Sequence, residues 1–173
     1  MSVRSRRCAR RGFYSVTETA KTKNLKKKKN RPLIGWREWA DLPDFEVEGI
    51  NAKIDTGAKS SAIHAFRIQE TMIDGVEHVE FYLHPVQRRK KPEVFCSAPI
   101  ADRRIIRSSN GQEEERYVIQ TRLRLGAKVW TIDLTLTNRD AMGFRLLIGR
   151  DALRRKFLID PGGSYLLGPK DKE

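Results

Sequence analysis

The run Ile54-Asp55-Thr56-Gly57-Ala58 constrains this chain more than any other. An acidic residue ends an apolar, strand-like segment and is followed at once by a hydroxyl and a glycine. Such a run is either a strand closing in an ordinary turn, where Asp and Gly are common, or a tight loop that presents a carboxylate. Chemistry in which one carboxylate activates a water while another holds a proton needs two acids at one site. The chain contains a single Asp-Thr-Gly. A catalytic reading therefore requires a second acid from elsewhere in the chain, or a second copy of the chain.

The 173 residues suffice for one domain with a real core. A net charge of +13 suggests a nucleic-acid binder, but the charge is not spread evenly. Residues 1–31 hold 12 Lys/Arg and one acid, Glu18, whereas the other 142 residues hold 23 Lys/Arg and 21 acids. We therefore expect a disordered basic tail over 1–31 and one nearly neutral domain over 32–173. The tail, with Lys26-Lys27-Lys28-Lys29, reads as a solvated extension, a non-specific contact to a polyanion, or an organelle transit segment. It lacks the apolar stretch of a secretory signal, and no segment reaches the roughly 20 apolar residues of a membrane span. Two cysteines, Cys8 and Cys96, make no disulfide framework and fit a reducing, cytoplasmic compartment. His64, His78 and His84 have no metal-ligand spacing; His64 and His84 with Cys96 would form a zinc site only if the fold assembled one. No phosphate-binding glycine loop is present, and no cofactor is expected.

Short strands dominate the pattern beyond Arg31. Leu33–Trp39 is apolar, Leu42-Pro43-Asp44 is a turn, and Val47–Ile54 leads into the Asp-Thr-Gly run. Ser61–Ile68 and Val79–Leu83 flank Asp74-Gly75, a hairpin signal. Arg103–Arg107 and Arg116–Ile119 flank Asn110-Gly111, a second one whose polar tip should project into solvent. Thr121–Leu125 and Val129–Thr137 alternate well, with Ile132, Leu134 and Leu136 on one face. Phe144–Ile148 reads as a buried strand ended by Gly149, and 152–157 as the one helix. Leu158-Ile159-Asp160 and Ser164–Leu167 close the chain as two strands around Pro161-Gly162-Gly163. This pattern predicts a mainly β chain, a closed barrel with one short C-terminal helix.

The order of Asp55-Thr56-Gly57-Ala58, the Asn110-Gly111 hairpin, and Leu146-Leu147-Ile148-Gly149-Arg150-Asp151 before a short helix resembles the retropepsins. A closer resemblance covers about 32–167. Gly35-Trp36-Arg37-Glu38-Trp39, Ala52-Lys53-Ile54-Asp55-Thr56-Gly57-Ala58, Ser61-Ala62-Ile63-His64-Ala65, Leu134-Thr135-Leu136-Thr137-Asn138-Arg139 and Leu147-Ile148-Gly149-Arg150 are similar to the bacterial family called ATP-dependent zinc proteases. Those are retropepsin-like proteins often associated with ATP-grasp ligases of the RimK type. The resemblance implies an aspartic peptidase acting on peptide bonds, with Asp55, Thr56 and Gly57 catalytic and a homodimer supplying the second Asp55. It also implies that the Leu147-Ile148-Gly149 strand lies beside the Asp55 loop and that Asn110-Gly111 takes the place of the flap. Ala58, Lys59, Asn110, Gly111, Ile148 and Gly149 are the expected substrate-binding residues, with no metal ligands. Asp133, Asp140 and Asp151 are the intrachain alternatives for the second acid. Lys59 stands where retroviral proteases usually carry an acid, which favours an acidic or glutamylated peptide. Arg103, Arg104, Arg107 and Arg116 either add to that preference or form a charged surface offset by Glu113, Glu114 and Glu115. Two other classes compete: a non-catalytic module that docks a ligase or an acidic peptide, and a zinc peptidase, as the family's name has it.

Overall fold

The computed structural model describes residues 31–107, 113–138 and 143–168. The basic N-terminal segment, the Asn110-Gly111 tip and Asp140 lie outside the described residues. Nine strands follow one another as β1 (Leu33–Leu42), β2 (Val47–Asp55), β3 (Ser61–Ile73), β4 (Val76–Leu83), β5 (Val94–Arg107), β6 (Glu113–Leu125), β7 (Lys128–Thr137), β8 (Leu146–Gly149) and β9 (Leu158–Ser164). A 3₁₀ turn, Pro43–Phe45, separates β1 from β2, and one four-residue helix, α1 (Arg150–Leu153), follows β8. The chain is thus mainly β with one short helix among the described residues, as the pattern of short strands predicts.

The strands make one sheet in the order β4-β5-β6-β7-β3-β8-β2-β1-β9, and further pairings of β3 with β4 and of β1 with β6 curl it back on itself. Alternation explains the core. Ile50, Ala52 and Ile54 of β2 are buried, as are Ile132, Leu134 and Leu136 of β7, while Asn51, Lys53 and Asp55 face the other way. Thr135 and Thr137 are buried too, although they fall on the polar face of β7.

The expected strands Arg116–Ile119 and Thr121–Leu125 are one, β6, and three further elements differ from expectation for physical reasons. The helix begins at Arg150 and ends at Leu153 instead of spanning 152–157. The Arg150 and Asp151 N–H groups already have acceptors beside β2, and Arg155 is left-handed at φ 63°, which closes the helix. The end of the chain forms one strand, β9 (Leu158–Ser164), that runs through Pro161, and residues 165–167, expected as a strand, form a turn instead. Among the described residues its only sheet partner is β1, so a residue without an N–H is tolerated on the other side. The third, β5, has 14 residues where the sequence pattern marks only Arg103–Arg107: residues 94–99 pair with β4 and residues 100–107 with β6, and Pro99 falls where the partner changes.

One buried carboxylate ties the chain's two described ends together. Glu38 is fully enclosed; its Oε1 accepts the N–H of Gly35 at 2.6 Å and of Leu166 at 2.9 Å, and its Oε2 that of Leu167 at 3.3 Å. The Gly35 donor is buried and the other two are part-buried, so the carboxylate satisfies backbone groups that the sheet leaves unpaired. Among the described residues no helix is long and apolar enough to cross a membrane.

Glu38→Ala should lower stability by about 3 kcal/mol, because it strands the buried Gly35 N–H and removes two part-buried bonds, and Glu38→Gln by roughly half as much. Urea denaturation measures both, and an effect below about 1 kcal/mol for Glu38→Ala would show that the clamp is dispensable.

Candidate active site

Asp55 is the last residue of β2, where the apolar face of the strand stops and the chain must turn. Its side chain is half-buried, and Oδ1 accepts the N–H of Gly57 and of Ala58, each at 3.1 Å. The loop thus folds under its own first carboxylate, as Asp side chains favour at turns. A methyl group on Gly57 would stand 3.3 Å from Oδ1, so a larger residue would press on the carboxylate.

Strand β8 runs parallel to β2 with Ile54 opposite Ile148 and Asp55 opposite Gly149. A Cβ at Gly149 would fall on the carbonyl of Ser60, so only glycine lets the two backbones come this close. The Gly149 N–H donates to Ser61 Oγ at 3.1 Å. Beyond it, Arg150 N–H donates to the Ala58 carbonyl at 3.0 Å and Asp151 N–H to the Lys59 carbonyl at 3.2 Å. The Arg150 guanidinium reaches the carbonyls of Thr56 at 3.3 Å and Gly57 at 3.5 Å. Four consecutive loop carbonyls, 56 to 59, therefore find donors from one short segment. A loop with its backbone groups satisfied in this way is held as firmly as a strand.

The structure brings Asp55, Thr56, Gly57, Ala58, Lys59 and Gly149 together at this point. Thr56 and Lys59 are exposed, and among the described residues the Thr56 hydroxyl has no partner. Ile148 is fully buried beneath the loop and supports it; the β8 side chain that shares the Asp55 face is the half-buried Leu147, opposite Lys53. Asn110 and Gly111 lie outside the described residues, although β5 and β6 pair as far as Arg107 and Glu113. Ser61 and Arg150 have contacts that their local sequence does not announce, since each reads as an ordinary strand or helix start.

The intrachain candidates for a second acid are placed differently. Asp133 is engaged by Arg104 at 3.0 Å and Gln120 at 3.3 Å. Asp151 is exposed on α1, and none of its hydrogen bonds reaches Asp55. Three arginines of β5 and β6 are neutralised locally: Arg103 pairs with Glu70 and Glu77, Arg104 with Asp102 and Asp133, and Arg116 with Glu114. Their charges serve the β4–β6 surface, which favours the reading of an offset charged hairpin.

Among the described residues no group of three or more His, Cys, Asp or Glu stands where it would hold a metal ion. His64 and His84 are buried with ring centroids 6.4 Å apart, and Glu93 is 3.7 Å from His84. Burial pushes the Cys96 thiol up to about 12, so it is not a thiolate near neutrality.

An Asp-Thr-Gly loop clasped by an apolar-apolar-Gly strand and the short helix after it, in a mainly β chain, defines the retropepsin-like class. The chain belongs to the RimB-like family within it: the model of the family described as "Retropepsin-like aspartic endopeptidase RimB" matches residues 33–170. Two relatives, from Desulfotalea psychrophila and Shewanella pealeana, are each named "Probable alpha-L-glutamate ligase". They are 46% and 45% identical over 83% and 82% of this chain. The chain spans only 31% of the length of either relative. A solved structure from Legionella pneumophila, a DUF785 protein of unknown function, aligns with a TM-score of 0.67 at 29% identity, over 80% of this chain and 99% of the other.

Ser61→Ala should cost roughly 1–2 kcal/mol by stranding the buried Gly149 N–H, and Gly149→Ala about 3 kcal/mol because both colliding groups are backbone. Urea unfolding midpoints would check the order; a neutral Gly149→Ala would mean that β8 does not press against the loop.

Proposed function

We propose that the protein is an aspartic peptidase that works as a homodimer and cleaves acidic peptides. The observation that carries this reading is the Asp55 loop. Its four carbonyls, 56 to 59, are engaged by the Arg150 guanidinium and by the N–H groups of Arg150 and Asp151, while its half-buried carboxylate holds the Gly57 and Ala58 N–H groups. A turn that merely ends a strand has no need of such bracing.

A second copy related by a two-fold axis brings Asp55 against Asp55. Two carboxylates held together share one proton, because both cannot ionise at close range. The ionised member takes a proton from a bound water, which attacks the scissile carbonyl. The protonated member donates a hydrogen bond to that carbonyl oxygen, and a proton later passes to the leaving amine. Thr56, whose hydroxyl is unengaged among the described residues, then bonds across the two loops and holds them in register. Leu147 and the exposed Lys59 border the substrate, with Asn110-Gly111 closing over it.

Acidic substrates are supported by Lys59 and by the relatives. A ligase that adds α-linked glutamate makes peptide bonds of the kind such a peptidase would cut. A RimK-type ATP-grasp ligase is accordingly the expected partner, and the cytoplasm the expected location. The relatives' naming also favours a second reading, in which the domain docks such a ligase or its product without cutting it.

Purified protein, Asp55→Asn protein and protein treated with a chelator should be assayed on glutamate-containing peptides from acidic to neutral pH. The peptidase reading expects cleavage to fall at least about 10³-fold in Asp55→Asn and to survive the chelator. Loss with chelator would indicate a metallopeptidase, and no cleavage under any condition would leave the docking module.

A further inference from the structure

The face of the sheet that carries Asp55 also carries a row of side chains one same-face step back along β2. Strand register places Arg37 opposite Lys53 across β1–β2, and Lys53 opposite Leu147 across β2–β8. Residues 53 and 55 share a face, since Ala52 and Ile54 point into the core. Two residues of strand span about 7 Å, so the row lies within two residues of an extended peptide from the Asp55 carboxylate.

Two cations directly opposite each other in a sheet repel, and natural sheets place acids there instead. Arg37 and Lys53 are both half-buried, yet neither has a carboxylate partner among the described residues. This contrasts with β5 and β6, where Arg103, Arg104 and Arg116 each have an acid. The guanidinium of Arg37 is also held rigidly. It lies 4.8 Å from the Trp36 ring centroid and 5.0 Å from that of Tyr165, and its Nε donates to Ser164 Oγ at 3.2 Å. Its terminal nitrogens have no acceptor among the described residues, so the fork that matches a carboxylate is immobilised and unused. Unpaired like charges on an otherwise satisfied surface cost stability, and a ligand that neutralises both recovers it.

We propose that Arg37 and Lys53 form a cationic subsite that takes the side-chain carboxylate of a substrate residue flanking the scissile bond, with Leu147 packing against that residue's methylenes. Arg37 receives the carboxylate through its terminal nitrogens, and Lys53 adds a mobile ammonium from the neighbouring strand. These residues determine specificity: they select glutamate over glutamine and take no part in bond cleavage. The assignment rests on the peptidase reading for its place in a reaction, but the binding it describes does not depend on cleavage.

The test uses full-length Asp55→Asn protein, so that nothing is cut, and end-blocked hexaglutamate and hexaglutamine peptides with a fluorescent label, followed by anisotropy. The glutamate peptide should bind about tenfold tighter than the glutamine peptide, with a preference that fades as salt rises. Lys53→Met and Arg37→Met should each cut that preference severalfold by weakening glutamate-peptide binding more than glutamine-peptide binding, and Lys53→Glu should abolish it. Equal binding of the two peptides, or a preference untouched by these substitutions, overturns the subsite. Cleavage by the Asp55-containing protein is read separately: failure to cut either peptide removes the peptidase reading alone, and cutting without preference for glutamate removes the subsite alone.

Discussion

The parallel pairing of β2 with β8 is the constraint on which the rest of this structure depends. It sets Asp55 opposite Gly149 and delivers the donors of residues 149–151 to the loop that follows Asp55. A loop at a strand end ordinarily leaves its carbonyls to water and moves accordingly. Here the Arg150 guanidinium and two backbone N–H groups engage four carbonyls in a row. The requirement for glycine at 149 and for a hydroxyl at Ser61 follows from that close approach. So does the early start of the helix, because its first N–H groups are used on the loop before any helical turn exists.

Charge is handled in two ways on the same molecule. On the β4–β6 surface the arginines 103, 104 and 116 are matched by acids within 3.2 Å, so these positive side chains leave little net field for a substrate. Beside Asp55 the pattern reverses, with Arg37 and Lys53 opposite each other and no acid paired to either among the described residues. A substrate preference for carboxylates is better sought in the second pair than in the first, although the arginines are the more conspicuous in the sequence.

What was legible in the sequence was local. The Asp74-Gly75 hairpin, the alternation of β7 and the Gly149 stop all depend on neighbours within a few residues, and the strands are found where those signals put them. The resemblance carried by Asp55-Thr56-Gly57-Ala58 and Leu147-Ile148-Gly149-Arg150 extended that reach to the fold and the family. Contacts between distant segments left no local mark. Ser61 meets Gly149 across 88 residues, and Arg103 finds Glu70 and Glu77 on other strands. The burial of Ile148 was equally hidden, because an apolar triplet does not say which of its members faces the core. The pairing of Arg37 with Lys53 needs the register of β1 on β2, which the sequence pattern alone does not specify.

A single Asp-Thr-Gly loop, braced from behind, leaves its carboxylate without an acid partner in its own chain among the described residues, and this is the central reason for proposing a two-copy active unit. The direct measurement is peptidase activity at a fixed concentration of unaltered protein while Asp55→Asn protein is added in increasing amounts up to roughly tenfold excess. Shared catalysis by two copies of Asp55 predicts that activity falls steadily as subunits exchange into mixed pairs holding one carboxylate each. Activity that stays constant throughout the titration would contradict it.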